Sequence, residues 1–416
     1  MTIKELVGQL DANREIFRAS IWTVLGNVAS RLFGAVSALA LSVILGAFGY
    51  GQYSLLLSTA TLCAGIGQLG LQSVLTRDLA REPVDRRAAC SSTALFLMSS
   101  VTLVTATVMV AASSLFSFLQ PLRDAAGGAL WLVVPWSIAM ALNNQVTASL
   151  VGVYRFRASA ALAAVRGFLV GALLVALALG GSIAEMILGA VLGEFAAACV
   201  ALILLSRARL LTRNWDVGYL RHLVKVGAGA GAASLLIQSV AWGAQTLLAN
   251  QPDGLVQVGI VALGVRLGLV ASLLSNSLVT VLLPYLSANR GSANSRGAVL
   301  WPILVAASSS ALTALLLPLI RLYWPTAYAE HTNVLMLMLV LAVCSAANTS
   351  VGSLAVARGL FRAWVLSDVL LSVVMATMVV LLVPSAGALG LAVSQIAAYA
   401  SSAAFLAWRS REGVQS

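Results

Sequence analysis

Arg31, Arg166, Arg266, Glu194 and Asp368 each interrupt a long apolar stretch, and chemistry in this chain begins with them. Arg31 lies eleven residues into its stretch, about 16 Å deep at the rise of an α-helix; Arg266 is placed similarly. A charge at that depth costs at least ~2.5 kcal/mol on insertion scales, so the side chain is expected to face a cavity or a partner. Arg31 shares a helical face with Asn27 and Gly34, and Arg266 one with Ser277 and Thr280. Acids this deep are too few to neutralise every arginine, which favours a wet lumen over arginines that merely lock helices together. Arg166, about 10 Å from the nearer end by the same rise, either reaches that lumen or snorkels to the interface.

Glu194 follows Gly189-x-x-x-Gly193, a spacing that marks close helix packing. Its carboxylate is read either as a proton or cation site or as the counter-ion of a buried arginine. Asp368, five residues into its stretch, is either an ion-coupling group or an interfacial one. Asn143, Asn144 and Gln145, with Asn348 and Thr349, supply hydrogen-bonding groups that either contact substrate or glue helices together. Catalysis is not indicated: His222 and His331 stand alone in flanking segments, and neither paired carboxylates nor a nucleophile elbow is present. Cys63, Cys90, Cys199 and Cys344 lack metal or disulfide spacing and read as small buried hydrophobes; no metal or other cofactor is expected. Gly227-x-Gly229-x-Gly231 follows no strand, so a dinucleotide loop is excluded in favour of a bend.

The elements that must position these groups are helices. Apolar stretches are predicted near Ser20–Gly46, Gly51–Thr76, Ala88–Leu119, Gly128–Val153, Ser159–Leu179, Ile183–Leu205, Leu220–Leu248, Leu255–Leu286, Val299–Leu319, Thr332–Val356, Ala363–Val383 and Ala388–Trp408. Most match the roughly 20 residues a helix needs to cross the hydrocarbon core, and all are too long for strands of a membrane barrel. Pro135 and Pro302 are expected to kink their spans; Pro384 is expected in a connection. The 416 residues are 60% hydrophobic and 9% charged, against about 25% charged in a soluble domain. No cleavable signal peptide is expected.

Of the 25 Lys and Arg, 20 fall on alternate loops and at the two ends, while the opposite loops hold only Arg123 and Arg321. This asymmetry places both termini in the cytoplasm. It also accounts for the net charge of +11 without nucleic acid, because no basic element is interleaved with aromatics. The expectation is an all-α polytopic membrane protein of twelve transmembrane helices, in two pseudo-symmetric six-helix bundles. The N-terminal half covers 20–209 and the C-terminal half 210–408, with cytoplasmic segments 1–19 and 409–416. Ser137–Ala158 aligns without gaps on Ala342–Ala363, seven of 22 positions being identical, including Asn143 with Asn348 and a shared Phe-Arg-Ala. Six spans separate the copies, so the halves are related by an axis along the membrane normal, an architecture of transporters that bind substrate between halves.

The first two spans resemble the polysaccharide (O-antigen type) flippases of the multidrug/oligosaccharidyl-lipid/polysaccharide exporter superfamily. The resemblance rests on Arg31-Leu-Phe-Gly34, on Leu45-Gly46 with Phe48-Gly-Tyr-Gly-Gln-Tyr-Ser54, and on Gly70-Leu-Gln-Ser-Val-Leu-Thr-Arg77-Asp-Leu-Ala-Arg81. Gln68 and Ser42 depart from it, standing where the family often has an acid and a base. The resemblance implies a flippase rather than an enzyme, moving a polyprenyl-diphosphate-linked glycan across the bacterial inner membrane by alternating access through a cationic cavity. Arginine forks bind phosphate oxygens bidentately, which makes Arg31 and Arg266 the expected head-group ligands, with Arg166, Asn27, Asn143 and Asn348 as further candidates. Glu194 and Asp368 are the ion-coupling candidates, for sodium or a proton if a coupling cation is used. Membrane lipid and polysaccharide-assembly proteins such as a polymerase are the implied partners. A peptidoglycan-precursor flippase and a multidrug exporter of the same superfamily are the competing readings.

Overall fold

The computed structural model describes the backbone of residues 3–68, 71–273, 275, 295–321, 326–358 and 360–412, with side chains over 21–225, 235–273, 299–318 and 327–410 apart from isolated positions. Ser277 and Thr280 lie outside the described residues, as does the end of the eighth expected span. Among the described residues there is no strand; the chain is a bundle of helices. Helical structure follows from the solvent the apolar surface implies: in lipid every backbone N–H and C=O needs an internal partner, and a helix supplies one for each residue.

Helix α1 runs over Ile3–Gln68, α2 over Leu71–Arg81 and α3 over Val84–Leu115. Then come α4, Gln120–Ala126, α5, Val133–Gly152, α6, Phe156–Ala178, and α7, Ile183–Arg207. The remaining described helices are α8, Val217–Ala249, α9, Gly254–Ala271, α10, Ser295–Arg321, the short α11, Thr326–Glu330, α12, Thr332–Ala357, and α13, Phe361–Glu412. Among the described residues eight helices are long and apolar enough to cross a membrane, or nine if the pair Ser117–Ala126 and Leu130–Gly152, bent by 92°, counts as one span.

The difference from the twelve expected stretches lies mainly at two glycines. Inside α1, Gly46 has φ 66° and interrupts the helix; Gly387, with φ 52°, does the same inside α13. Positive φ is free of steric cost only at glycine, so each supplies a sharp break without a loop. Pro384 sits within α13, three residues before that break, rather than in a connection. Pro135 lies in the first turn of α5, where a missing N–H costs nothing, so it produces no kink; the bend falls instead at Gly127 and Gly128, both with positive φ. The expected polar N-terminal segment is helical and continuous with the first apolar stretch.

One hydrophobic core runs from Ala38 to Ala398 and takes in both halves of the chain. The contact between α1 and α9 is backbone on backbone: a Cβ on Gly51 would meet the Leu255 carbonyl, and one on Gly259 would meet that of Ala47. At the opposite end the halves are tied by polar contacts. His222 Nε2 lies 3.3 Å from Asp78 Oδ2, and Arg86 bonds Asp216 at 2.7 Å. The segment between α7 and α8 is laid on α3, with Trp215 stacked on Phe96 at 4.0 Å and the Asp216 N–H donating to Thr93 at 3.0 Å. Asp216 also accepts from the Tyr219 N–H at 2.9 Å. That bond and the nearby Arg86 hold its carboxyl below the usual range.

The two matched asparagines both make contacts between helices. Asn143 reaches α7 at Glu194, and Asn348, its match 205 residues on, accepts from Ser402 in α13 at 2.9 Å. Each asparagine thus pins the second span downstream of its own.

Candidate cationic cavity

A cavity of about 260 Å³ lies among α1, α6, α7 and α9, and three arginines and one glutamate line it: Arg31, Arg166, Arg266 and Glu194. The rest of its wall is Ser30, Ser37, Tyr50 and Tyr53 with small and aliphatic residues.

Glycine contacts explain why these four meet. Helix α6 is pressed against α1: a Cβ on Gly167 would stand 2.8 Å from Ser30 Cα, and one on Gly171 would stand 3.3 Å from the Ser37 side chain. On its other side α6 meets α7, where a Cβ on Gly193 would come within 2.6 Å of Val170 Cα and one on Gly189 within 2.6 Å of the Leu173 carbonyl. The Gly189-x-x-x-Gly193 spacing is therefore a packing seam, as small residues that let backbones approach usually are. Clamped between α1 and α7, α6 turns Arg166 inward beside Glu194 rather than letting it snorkel.

The Arg166–Glu194 pair is bidentate. Arg166 Nε and Nη2 donate to the two carboxylate oxygens, each at 2.8 Å, the paired geometry that makes arginine–carboxylate bonds strong. Arg166 Nη1 donates to Asn144 Oδ1 at 2.6 Å, and Asn143 Nδ2 donates to Glu194 Oε2 at 2.7 Å. The Glu194 side chain is only 5% exposed, so its charge is tolerated because it is both paired and hydrogen-bonded. Of the readings open from the sequence, the counter-ion is the one this geometry displays.

Arg266 lies two helical turns beyond Gly259, on the face of α9 that meets α1, and lines the cavity beside Tyr50. Tyr50 and Tyr53 are almost fully buried; Tyr53 in turn stacks on Trp136 with ring centroids 6.0 Å apart. Arg31 is the open cation of the set: among the described residues no carboxylate lies within ion-pair distance of it, and it is an exposed residue of the cavity lining.

The structure thus brings Arg31, Arg166, Arg266 and Glu194 together and sets the other candidates apart. Asn143 stands behind Glu194 rather than in the wall. Asn27 is exposed and outside the lining, and Asn348 is a packing contact to Ser402. Asp368 is half-buried on α13, away from the cavity. Tyr50 and Tyr53 were not singled out from the sequence as site residues. Their three-residue spacing at the start of a helix, one face by helical periodicity, was the available signal. Among the described residues no cluster of three His, Cys, Asp or Glu side chains forms a metal site.

A family model described as polysaccharide biosynthesis protein matches residues 16–290. The fold is shared with solved structures of low sequence identity. The lipid II flippase MurJ in an inward closed conformation is 13% identical, with 94% of this chain and 87% of that one covered at a TM-score of 0.79. An outward-facing multidrug resistance MATE family transporter of the MOP superfamily is 16% identical, with 96% of each chain covered and a TM-score of 0.65. A MOP superfamily transporter from Pyrococcus furiosus, noted for the reverse polarity of its binding pocket, is 15% identical over 96% of this chain and 95% of that one, also at 0.65. None of the curated proteins matches.

Proposed function

The chain belongs to the polysaccharide biosynthesis protein family, and we propose that it is a flippase for a polyprenyl-diphosphate-linked oligosaccharide. It carries the head group from the cytoplasmic to the outer leaflet of the bacterial inner membrane, for assembly of a surface polysaccharide such as O-antigen or exopolysaccharide. The observation that carries this reading is the cavity: guanidinium groups from helices of both halves face one space, and among the described residues carboxylate neutralises only one of them. Such a space is suited to a phosphate-rich head group, and low dielectric strengthens each contact. Arg31 and Arg266 are the head-group ligands in this reading, while the prenyl tail stays in lipid.

Twelve spans fit the helices when α1 and α13 are each counted as two, on either side of Gly46 and Gly387, and the bent pair as one. With both termini in the cytoplasm, the Gly51–Gly259 contact closes the outer end and the Asp78–His222 and Arg86–Asp216 contacts close the inner one. Alternating access would open these in turn. Glu194 is engaged by Arg166, so the carboxylate left for a coupling cation is Asp368. A polymerase and other assembly proteins would receive the product.

A multidrug exporter is disfavoured by the sign of the cavity, since a cationic drug would meet like charge. A peptidoglycan-precursor flippase shares the fold, and complementation of cells depleted of their own precursor flippase separates it from the reading preferred here. The main test replaces the ligands. Arg31→Ala and Arg266→Ala should each abolish export, with normal membrane abundance and build-up of lipid-linked glycan inside the cell. Wild-type export by both variants would remove the cavity from the mechanism.

A further inference from the structure

Arg166 is held by Glu194 through two charge-assisted bonds, so the cavity's third guanidinium is cancelled where it stands. Among the described residues lining it, three arginines and one glutamate leave a net charge of two positive units. A diphosphate joining two alcohols carries one ionised oxygen on each phosphorus, two in all. We infer that Glu194 is a positioning residue that sets the cavity's charge, matching it to a diphosphate diester and limiting its affinity for head groups with further negative charge. This deepens the flippase reading and rests on it.

Two observations separate this role from simple packing. The tight glycine seams on both sides of α6 already hold the helices together at Gly167, Gly171, Gly189 and Gly193, so the buried pair is not needed to bring them into contact. Replacing a buried ion pair by well-packed apolar groups is often harmless or stabilising, so its presence beside two arginines that no carboxylate among the described residues neutralises calls for another explanation. The pair also faces the cavity rather than lying behind its wall: both partners are lining residues. With Glu194 absent, Arg166 would stand beside the substrate as a free cation, still oriented by Asn144.

The test uses purified full-length protein in lipid nanodiscs and three probes of rising charge. These are a polyprenyl phosphodiester of glucose, a polyprenyl diphosphate of glucose and a polyprenyl diphosphate of glucuronic acid, with one, two and three negative charges. The readout is the ratio of affinities for the most and least charged probes. Glu194→Gln should raise that ratio on the order of tenfold, the size expected of one added charge-assisted contact. The double variant Arg166→Gln with Glu194→Gln restores the net charge and should bring the ratio back towards wild type. A purely structural role predicts instead that both variants lose affinity for all three probes alike, each with a ratio close to wild type. An unchanged ratio in Glu194→Gln, in protein that still binds the diphosphate probe, overturns the inference and leaves the flippase reading standing. Wild-type protein that binds none of the three probes overturns both.

Discussion

Replacing Gly193 by alanine tests how the cavity keeps its charges in register. The added Cβ would stand 2.6 Å from Val170 Cα, where ordinary contact begins at 3.4 Å. Helices α6 and α7 must therefore part by about 0.8 Å, the difference between those two values. Glu194 is the next residue, and its 2.8 Å bonds to Arg166 cross the same seam. Stretched by that amount they reach about 3.6 Å, beyond the usual hydrogen-bond range. Overpacking costs about 1–3 kcal/mol and loss of a charge-assisted bond about 1.5–3 kcal/mol. Alanine's better helix propensity returns up to about 1 kcal/mol. The net expectation is a destabilisation on the order of 3 kcal/mol.

Thermal unfolding in detergent, followed by tryptophan fluorescence, measures it, with Gly243→Ala as control because a Cβ there meets nothing within 4 Å. The same substitution in an Arg166→Gln, Glu194→Gln background should show a smaller penalty, since only the packing part remains. A Gly193→Ala protein as stable as the Gly243→Ala control would refute the seam. Equal penalties with and without the ion pair would refute its coupling to the charges.

Gly51→Ala and Gly259→Ala each place a methyl group on a backbone carbonyl across the contact between halves. Both should open the outer end and speed labelling, by an impermeant maleimide added outside, of a cysteine introduced at Leu41 in the cavity wall; unchanged labelling counts against closure by these glycines. At the inner end, Arg86 is 56% exposed in its pair with Asp216, so Asp216→Asn, which keeps the helix cap, should leave the thermal unfolding midpoint nearly unchanged. Trp215→Ala removes the ring stacked on Phe96 and should speed proteolysis of the segment between α7 and α8, which Asp216→Asn should leave nearly as resistant as wild type.

Much of this protein could be read along the chain. Apolar length and sparse charge dictate helices wherever lipid is the solvent, and an arginine in mid-stretch must find water, an anion or an acid because the alternative costs several kcal/mol. The match of Asn143 with Asn348 marked equivalent positions in the two copies, while the helix that each would reach was not legible in it. The breaks near Gly46 and Gly387 fall where the expected stretches end, but their form was less legible: that a single glycine of positive φ makes each turn without a loop follows from where the flanking helices must go.

Pairing across helices was decided only by tertiary structure. Arg166 meets Glu194 from 28 residues away, and Arg266 lines the cavity beside Tyr50 across the two halves. Spacing within one helix says which face a side chain shares, but not which helix that face will touch. That choice belongs to the backbone contacts at Gly167, Gly189, Gly193 and Gly259, where the absence of a side chain sets how closely two helices approach and so which charges meet.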